Sequence, residues 1–126
     1  MPEITANGLR FFVVDEGAGA PVVLLHGFPD TSYVWRHQIS ALVGAGFRAI
    51  APDLRGRGKS EWPKRVEDYQ LSNIVADVAG IMDALGVERA HIVGHDWGAA
   101  VAWLFASLLP QRVDRLVVLS VGNPAA

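Results

Sequence analysis

The chain has 126 residues, enough for one compact domain. Eleven Lys and Arg against thirteen Asp and Glu leave a formal net charge of −2, and no block of like charge offers a surface for nucleic acid or an anionic membrane. Hydrophobic residues make up 51% and charged ones 19%, which excludes a disordered chain, and the lack of cysteine excludes disulfides, thiolate catalysis and Cys-based metal sites.

Ile4-Thr5-Ala6, then Asn7-Gly8, then Leu9 to Val14 reads as a hairpin, because Asn-Gly suits a type I′ turn. Val22 to Leu25 is continuously apolar and predicts a strand buried on both faces. A helix follows over about Ser32 to Val43, closed by Gly44 and Gly46, and Phe47 to Ala51 is a second apolar strand. The polar stretch Arg55 to Asp68, with its glycines and Pro63, reads as a surface loop. Leu71, Ile74, Val75, Val78, Ile81, Met82 and Leu85 recur at three- and four-residue steps, the signature of a helix with one apolar face that Gly86 ends. Ala90 to Val93 is a third buried strand, Gly98 to Leu109 a third helix stopped by Pro110, and Leu116 to Val121 a last strand. This alternation implies right-handed crossovers and an α/β fold, a mostly parallel sheet of about six strands with helices on both faces. Neither a signal peptide nor an apolar run of about 18 residues is present, so the chain reads as soluble and cytosolic.

In such sheets ligands bind beyond the carboxyl ends of the strands. Three strand-ending loops stand out: His26-Gly27-Phe28-Pro29, Asp53 to Ser60, and Gly94-His95-Asp96-Trp97-Gly98. The last has the G-x-nucleophile-x-G form of a nucleophile elbow, between a strand and a helix, with Asp96 at its centre. Taken alone, G-x-D-x-G is also a common turn. It is accompanied by His26-Gly27, upstream at the end of another apolar strand, where an oxyanion loop belongs.

With HGFP, D-x-R-G-x-G-x-S and GHDWG all present, the chain resembles the α/β-hydrolase superfamily, and within it the epoxide hydrolases, along essentially its whole length. The nucleophile type indicates which bond is opened. A carboxylate attacking an sp³ carbon that bears an epoxide oxygen or a halide gives an alkyl ester, which is then hydrolysed through a tetrahedral oxyanion. Asp96 is the expected nucleophile, and the backbone N–H groups of Phe28 and Trp97 the expected oxyanion donors. The helix starting at the elbow directs its positive end at Asp96. His26, Gly27, Pro29, Gly94, His95 and Gly98 are motif residues that support this geometry. No cofactor or metal is called for, and the expected substrate is a small epoxide or alkyl halide.

Dehalogenases of this fold share Trp97 but typically carry Asn where this chain has Phe28; fluoroacetate dehalogenases share HGFP but usually have Arg where it has Trp97. Both departures favour an epoxide, with a dehalogenase as the alternative enzyme. His26 is expected to fix the oxyanion loop and His95 to be structural, while His37 and His91 read as an exposed helix position and a strand position. Trp35 is either a pocket-lining residue or a helix-packing aromatic. Gly58-Lys59-Ser60 is not a Walker A loop, because Asp53 stands where that motif needs glycine, and Gly17-Ala18-Gly19 lacks the third glycine of a dinucleotide fingerprint.

The resemblance also implies an acid and a histidine after the nucleophile, yet His26, His37, His91 and His95 all precede Asp96. Ser120 stands where some relatives place the acid, and Val121 to Ala126 contain none. The family's cap, whose tyrosines protonate the epoxide oxygen, would follow this strand, whereas Tyr33 and Tyr69 both precede it. Residues 1–126 therefore read as a partial α/β-hydrolase core domain that lacks the base and acid for turnover and is expected to undergo at most a single slow alkylation per molecule. An apolar last strand left at the sheet edge predicts pairing with a second copy or a complementary C-terminal segment. A non-catalytic interaction module working through that edge is the reading from another class.

Overall fold

The computed structural model describes residues 3–119. β1 (Glu3–Ala6) and β2 (Leu9–Glu16) form the hairpin. Both turn residues lie at positive φ, 49° at Asn7 and 79° at Gly8, as a type I′ turn requires. With β3 (Ala20–Leu25), β4 (Phe47–Pro52), β5 (Ala90–His95) and β6 (Val113–Leu119) they build one sheet in the order β1-β2-β4-β3-β5-β6. β1–β2 and β2–β4 pair antiparallel, and β4–β3, β3–β5 and β5–β6 pair parallel. β6 begins three residues before the expected Leu116; Ser120 and Val121 lie outside the described residues.

Three α-helices cover the sheet: α1 (Arg36–Gly44), α2 (Leu71–Ala84) and α3 (Trp97–Leu108). The helix expected from Ser32 is divided, for Ser32–Trp35 is a separate 3-10 turn. The Ser32 N–H donates to Asp53 Oδ1 at 2.7 Å and the Tyr33 N–H to Thr31 Oγ1 at 3.3 Å. These side-chain acceptors tighten the segment before α-helical bonding starts.

Strand alternation separates two cores. Phe11, Val13, Val23, Leu25, Ile50 and Ile92 face α2 and α3, meeting Val78, Ile81, Met82, Val101 and Phe105. Val22, Leu24, Ala49 and Ala51 face α1, meeting Trp35 and Ile39. Residues 22–25 are thus buried on both faces, as their unbroken apolar run predicts. Each large side chain enclosed this way contributes about 1.5–3 kcal/mol. β5 is less enclosed than expected, since His91 and Val93 are half-buried, and Val117 and Leu119 on the edge strand β6 remain 45% and 43% exposed.

Most of residues 55–68 lie at the surface as expected, but the segment is anchored at two points. Arg55 and Ser60 are buried, while Lys59, Lys64 and Arg65 are exposed. Arg55 is drawn inward by Asp77, a carboxylate enclosed within α2.

Candidate active site

Asp96 occupies the tight turn between β5 and α3, with φ 57° and ψ −121°. A non-glycine residue at positive φ is strained and persists only where its surroundings dictate it. Two glycines provide those surroundings. A Cβ on Gly98 would overlap the carbonyl oxygens of Leu25 and His26, and one on Gly94 would overlap that of Gly98. Strand and helix therefore approach too closely for any side chain on either flank. The Asp96 N–H donates to the Leu119 carbonyl at 3.2 Å, and the Asp96 carbonyl accepts from the Ala99 N–H at 2.9 Å.

Sequence-distant Gly27 is pressed against this turn: a Cβ there would lie 2.6 Å from Asp96 Cβ and 3.0 Å from Oδ2. The HGFP loop and Asp96 are thus brought together, as their positions at neighbouring strand ends predict. Trp97 is the first residue of α3, where an N–H has no intrahelical acceptor. Among the described residues, neither the Trp97 nor the Phe28 N–H donates to another protein group. Pro29 follows Phe28 through a cis peptide bond.

His26 is almost fully buried beneath the loop. The Leu54 N–H donates to its Nε2 at 2.9 Å, so the proton of the neutral ring sits on Nδ1, which donates to the Gly27 carbonyl at 2.9 Å. Burial pushes the His26 pKa below its ordinary 6.5; the bond to Gly27 and the charges of Asp53 and Asp30 oppose that shift, and Arg57 adds to it. The expectation that His26 fixes the loop agrees with these contacts.

The Asp53–Ser60 segment is a second anchor. Asp53 accepts from the N–H groups of Ser32 at 2.7 Å and Lys59 at 2.9 Å. The Ser60 hydroxyl donates to the Asp53 carbonyl and accepts from the Phe12 N–H at 2.9 Å. Arg55 makes a two-pronged pair with Asp77, at 2.6 and 2.7 Å, and Asn7 Nδ2 adds a third bond to that carboxylate at 2.9 Å. The hydrogen bonds to Asp77, with its charge, raise the Arg55 pKa against the opposing effect of burial. Sequence reading passed over Asp77 because the apolar periodicity of α2 draws attention to its neighbours. A lone acid inside a mostly apolar helix face was the available signal.

A cavity of about 570 Å³ opens beside the turn, lined by His26, Gly27, Phe28, Leu54, Tyr69, Leu71, Ile74, Trp97 and Val101, with Arg55 and Arg57. Phe28 and Trp97 are more than half exposed at its mouth, and the Arg57 guanidinium stacks 4.2 Å from the Phe28 ring centre. Trp35 is absent from this lining and is corrected to a packing residue. It is 4% exposed in the α1-side core, on the other side of the sheet, with His95 edge-on at 6.5 Å between ring centres. His37 is exposed on α1, and His91 lies on β5 against Phe47. Among the described residues no group of three His, Asp or Glu side chains could hold a metal ion, and no helix is long and apolar enough to cross a membrane.

The family model for the alpha/beta hydrolase fold matches residues 20–126. Epoxide hydrolase 3 of Siraitia grosvenorii is 48% identical over 126 residues, spanning 97% of this chain and 40% of the relative. Epoxide hydrolase B of Mycobacterium tuberculosis is 52% identical over 122 residues, spanning 94% and 34%. Among solved structures, an epoxide hydrolase from Vigna radiata superposes with a TM-score of 0.94 at 41% identity, covering 98% of this chain and 42% of that one. Epoxide hydrolase A from Mycobacterium thermoresistibile gives 0.92 at 46% identity, covering 94% and 38%. The chain thus spans well under half the length of these relatives.

Proposed function

The chain belongs to the alpha/beta hydrolase fold family, and we propose that its chemistry is epoxide opening by Asp96. The observation that carries this reading is the strained Asp96 turn, with Gly27 packed against it and two N–H groups, of Phe28 and Trp97, that have no acceptor among the described residues. One Asp96 oxygen attacks a ring carbon and the carbon–oxygen bond of the epoxide breaks. The released alkoxide takes a proton from an acid or from water, leaving a hydroxyalkyl ester on Asp96. Water, deprotonated by a base, then attacks the ester carbonyl. The negative charge moves to the carbonyl oxygen, where the Phe28 and Trp97 amides stabilise it; collapse breaks the bond to the ester oxygen, which takes the proton held by the base and leaves as the diol, and Asp96 ionises again to the carboxylate. No cofactor enters either step.

Both the relatives' names and Phe28, which offers no side-chain donor for halide, favour an epoxide over an alkyl halide. Within the 126 residues every histidine precedes Asp96, whereas the superfamily order places the base after the nucleophile, and on this reading another segment or another chain supplies that base. The outer edge of β6, last in the sheet among the described residues and with Val117 and Leu119 exposed, is where we place that additional strand, from a second copy or a complementary segment. On this reading the 126 residues by themselves undergo at most a single alkylation and lose the ester slowly. Incubation with styrene oxide should add the mass of one epoxide, mapped by peptide sequencing to Asp96 and missing in Asp96→Asn. An unmodified mass across pH and epoxide concentration would end the proposal.

A further inference from the structure

The Asp53–Ser60 loop supplies none of the proposed chemistry, yet Asp53, Arg55 and Ser60 are among the few buried polar side chains of the described residues. We infer that the Arg55–Asp77 ion pair is a positioning device for the Phe28 amide, acting through Leu54 and the His26 ring. This inference rests on the reading of that amide as an oxyanion donor.

The connection runs through short contacts. Asp77 on α2 holds Arg55 by two bonds, and Arg55 also donates to the Asp68 carbonyl, so the loop is tied to α2 and to the segment preceding it. The residue before Arg55 is Leu54, whose N–H donates to His26 Nε2 at 2.9 Å. That bond excludes a proton from Nε2 and leaves it on Nδ1. Nδ1 then donates to the Gly27 carbonyl at 2.9 Å, which also accepts from the Asp30 N–H at 2.8 Å. The Gly27 carbonyl and the Phe28 N–H are opposite edges of one planar trans peptide. Gripping the oxygen from two sides therefore aims the hydrogen the other way.

The alternative is that the pair only stabilises the fold. A structural role would act on every property of the site together. The positioning role acts on one step, because the amide is needed when the ester carbonyl acquires charge and much less when the carboxylate attacks. Small displacements of a positioned donor have large effects, on the order of tenfold or more.

The test uses the full chain, the conservative variants Arg55→Lys and Asp77→Glu, and two readouts. Arg55→Lys keeps the charge but loses the planar fork; Asp77→Glu moves the carboxylate by one methylene. Nitrogen-15 spectra of the histidine rings at pH 7.5 should show parent His26 protonated at Nδ1 alone, and a mixture of tautomers in either folded variant. After alkylation by styrene oxide, intact mass should follow loss of the Asp96 ester in alkaline buffer. Loss should slow about tenfold in the variants while ester formation changes little. A parent ring protonated at Nε2, or variants with the parent ring spectrum and parent ester loss, would overturn the inference. If no ester forms, the epoxide reading falls, and the ring spectra of parent and variants still decide whether the ion pair orients His26.

Discussion

Replacing Gly98 with alanine tests whether close approach of backbone holds the Asp96 turn in its strained geometry. Gly98 lies in the first turn of α3, where alanine would ordinarily gain about 1 kcal/mol over glycine in helix propensity. Here the added methyl meets the Leu25 and His26 carbonyls, with the His26 oxygen and Leu25 carbon both 2.6 Å away. Neither neighbour is a flexible side chain. Leu25 ends β3, where it pairs with Gly94 of β5, and His26 follows it, its buried ring held by the Leu54 N–H, so this segment cannot retreat without breaking those bonds. The start of α3 must withdraw by roughly an ångström, at the upper end of overpacking penalties, about 3 kcal/mol. That should lower the melting temperature by roughly 10 °C for a chain of this size. The same withdrawal carries Asp96 and the Trp97 amide away from Gly27, and ester formation with a small epoxide should slow by about a hundredfold. Gly44→Ala is the matched control. Its Cβ meets nothing within 4 Å near the end of α1, so it should be neutral or stabilise by up to about 1 kcal/mol. Urea midpoints at constant m-value compare the two. A Gly98→Ala midpoint equal to that of the parent, with unchanged ester formation, would show that the glycine is not what holds the turn.

Ser60→Ala should cost about 2 kcal/mol by urea titration, because the Phe12 N–H loses its acceptor in a part-buried site; a cost below 0.5 kcal/mol, on the scale of ordinary surface changes, would contradict the assigned bond. Phe105→Ala should cost about 3–5 kcal/mol, since that ring is fully buried between α3 and the sheet, while Arg48→Ala, which breaks a more exposed pair with Asp15, should cost under about 1 kcal/mol; equal midpoints for the two variants would refute the assignment of core and surface. Burial holds folded His26 below its ordinary pKa of 6.5, so above that value neither state is protonated and its contribution to stability is complete. As pH falls through 6.5 the unfolded chain takes up the proton first, and stability declines by about 1.4 kcal/mol per unit until the folded ring protonates. Urea midpoints from pH 8 to pH 5 should fall more steeply for the parent than for His26→Gln, and parallel curves would show that the ring titrates alike in both states.

The sequence by itself determined the layout of this protein. Runs such as Val22 to Leu25, the three-and-four spacing along Leu71 to Leu85, and Asn7-Gly8 between two short strands are signals within a few residues, and each produced the element it predicts. The nucleophile candidate was legible for the same reason: Gly94, Asp96 and Gly98 encode a tight strand-to-helix turn within five residues. What only the tertiary structure decided was how distant segments hold that turn's surroundings. Arg55 and Asp77 stand 22 positions apart, Leu54 and His26 stand 28 apart, and Asn7 reaches Asp77 across 70. The side chains of Asn7, Arg55 and Asp77, read locally, belong to solvent; only the crossover packing of α2 against the sheet removes water from Asp77 and makes a paired arginine the favourable solution. Trp35 shows the converse, an aromatic with two equal local readings whose place in the α1-side core was fixed by the face of the sheet on which α1 came to rest.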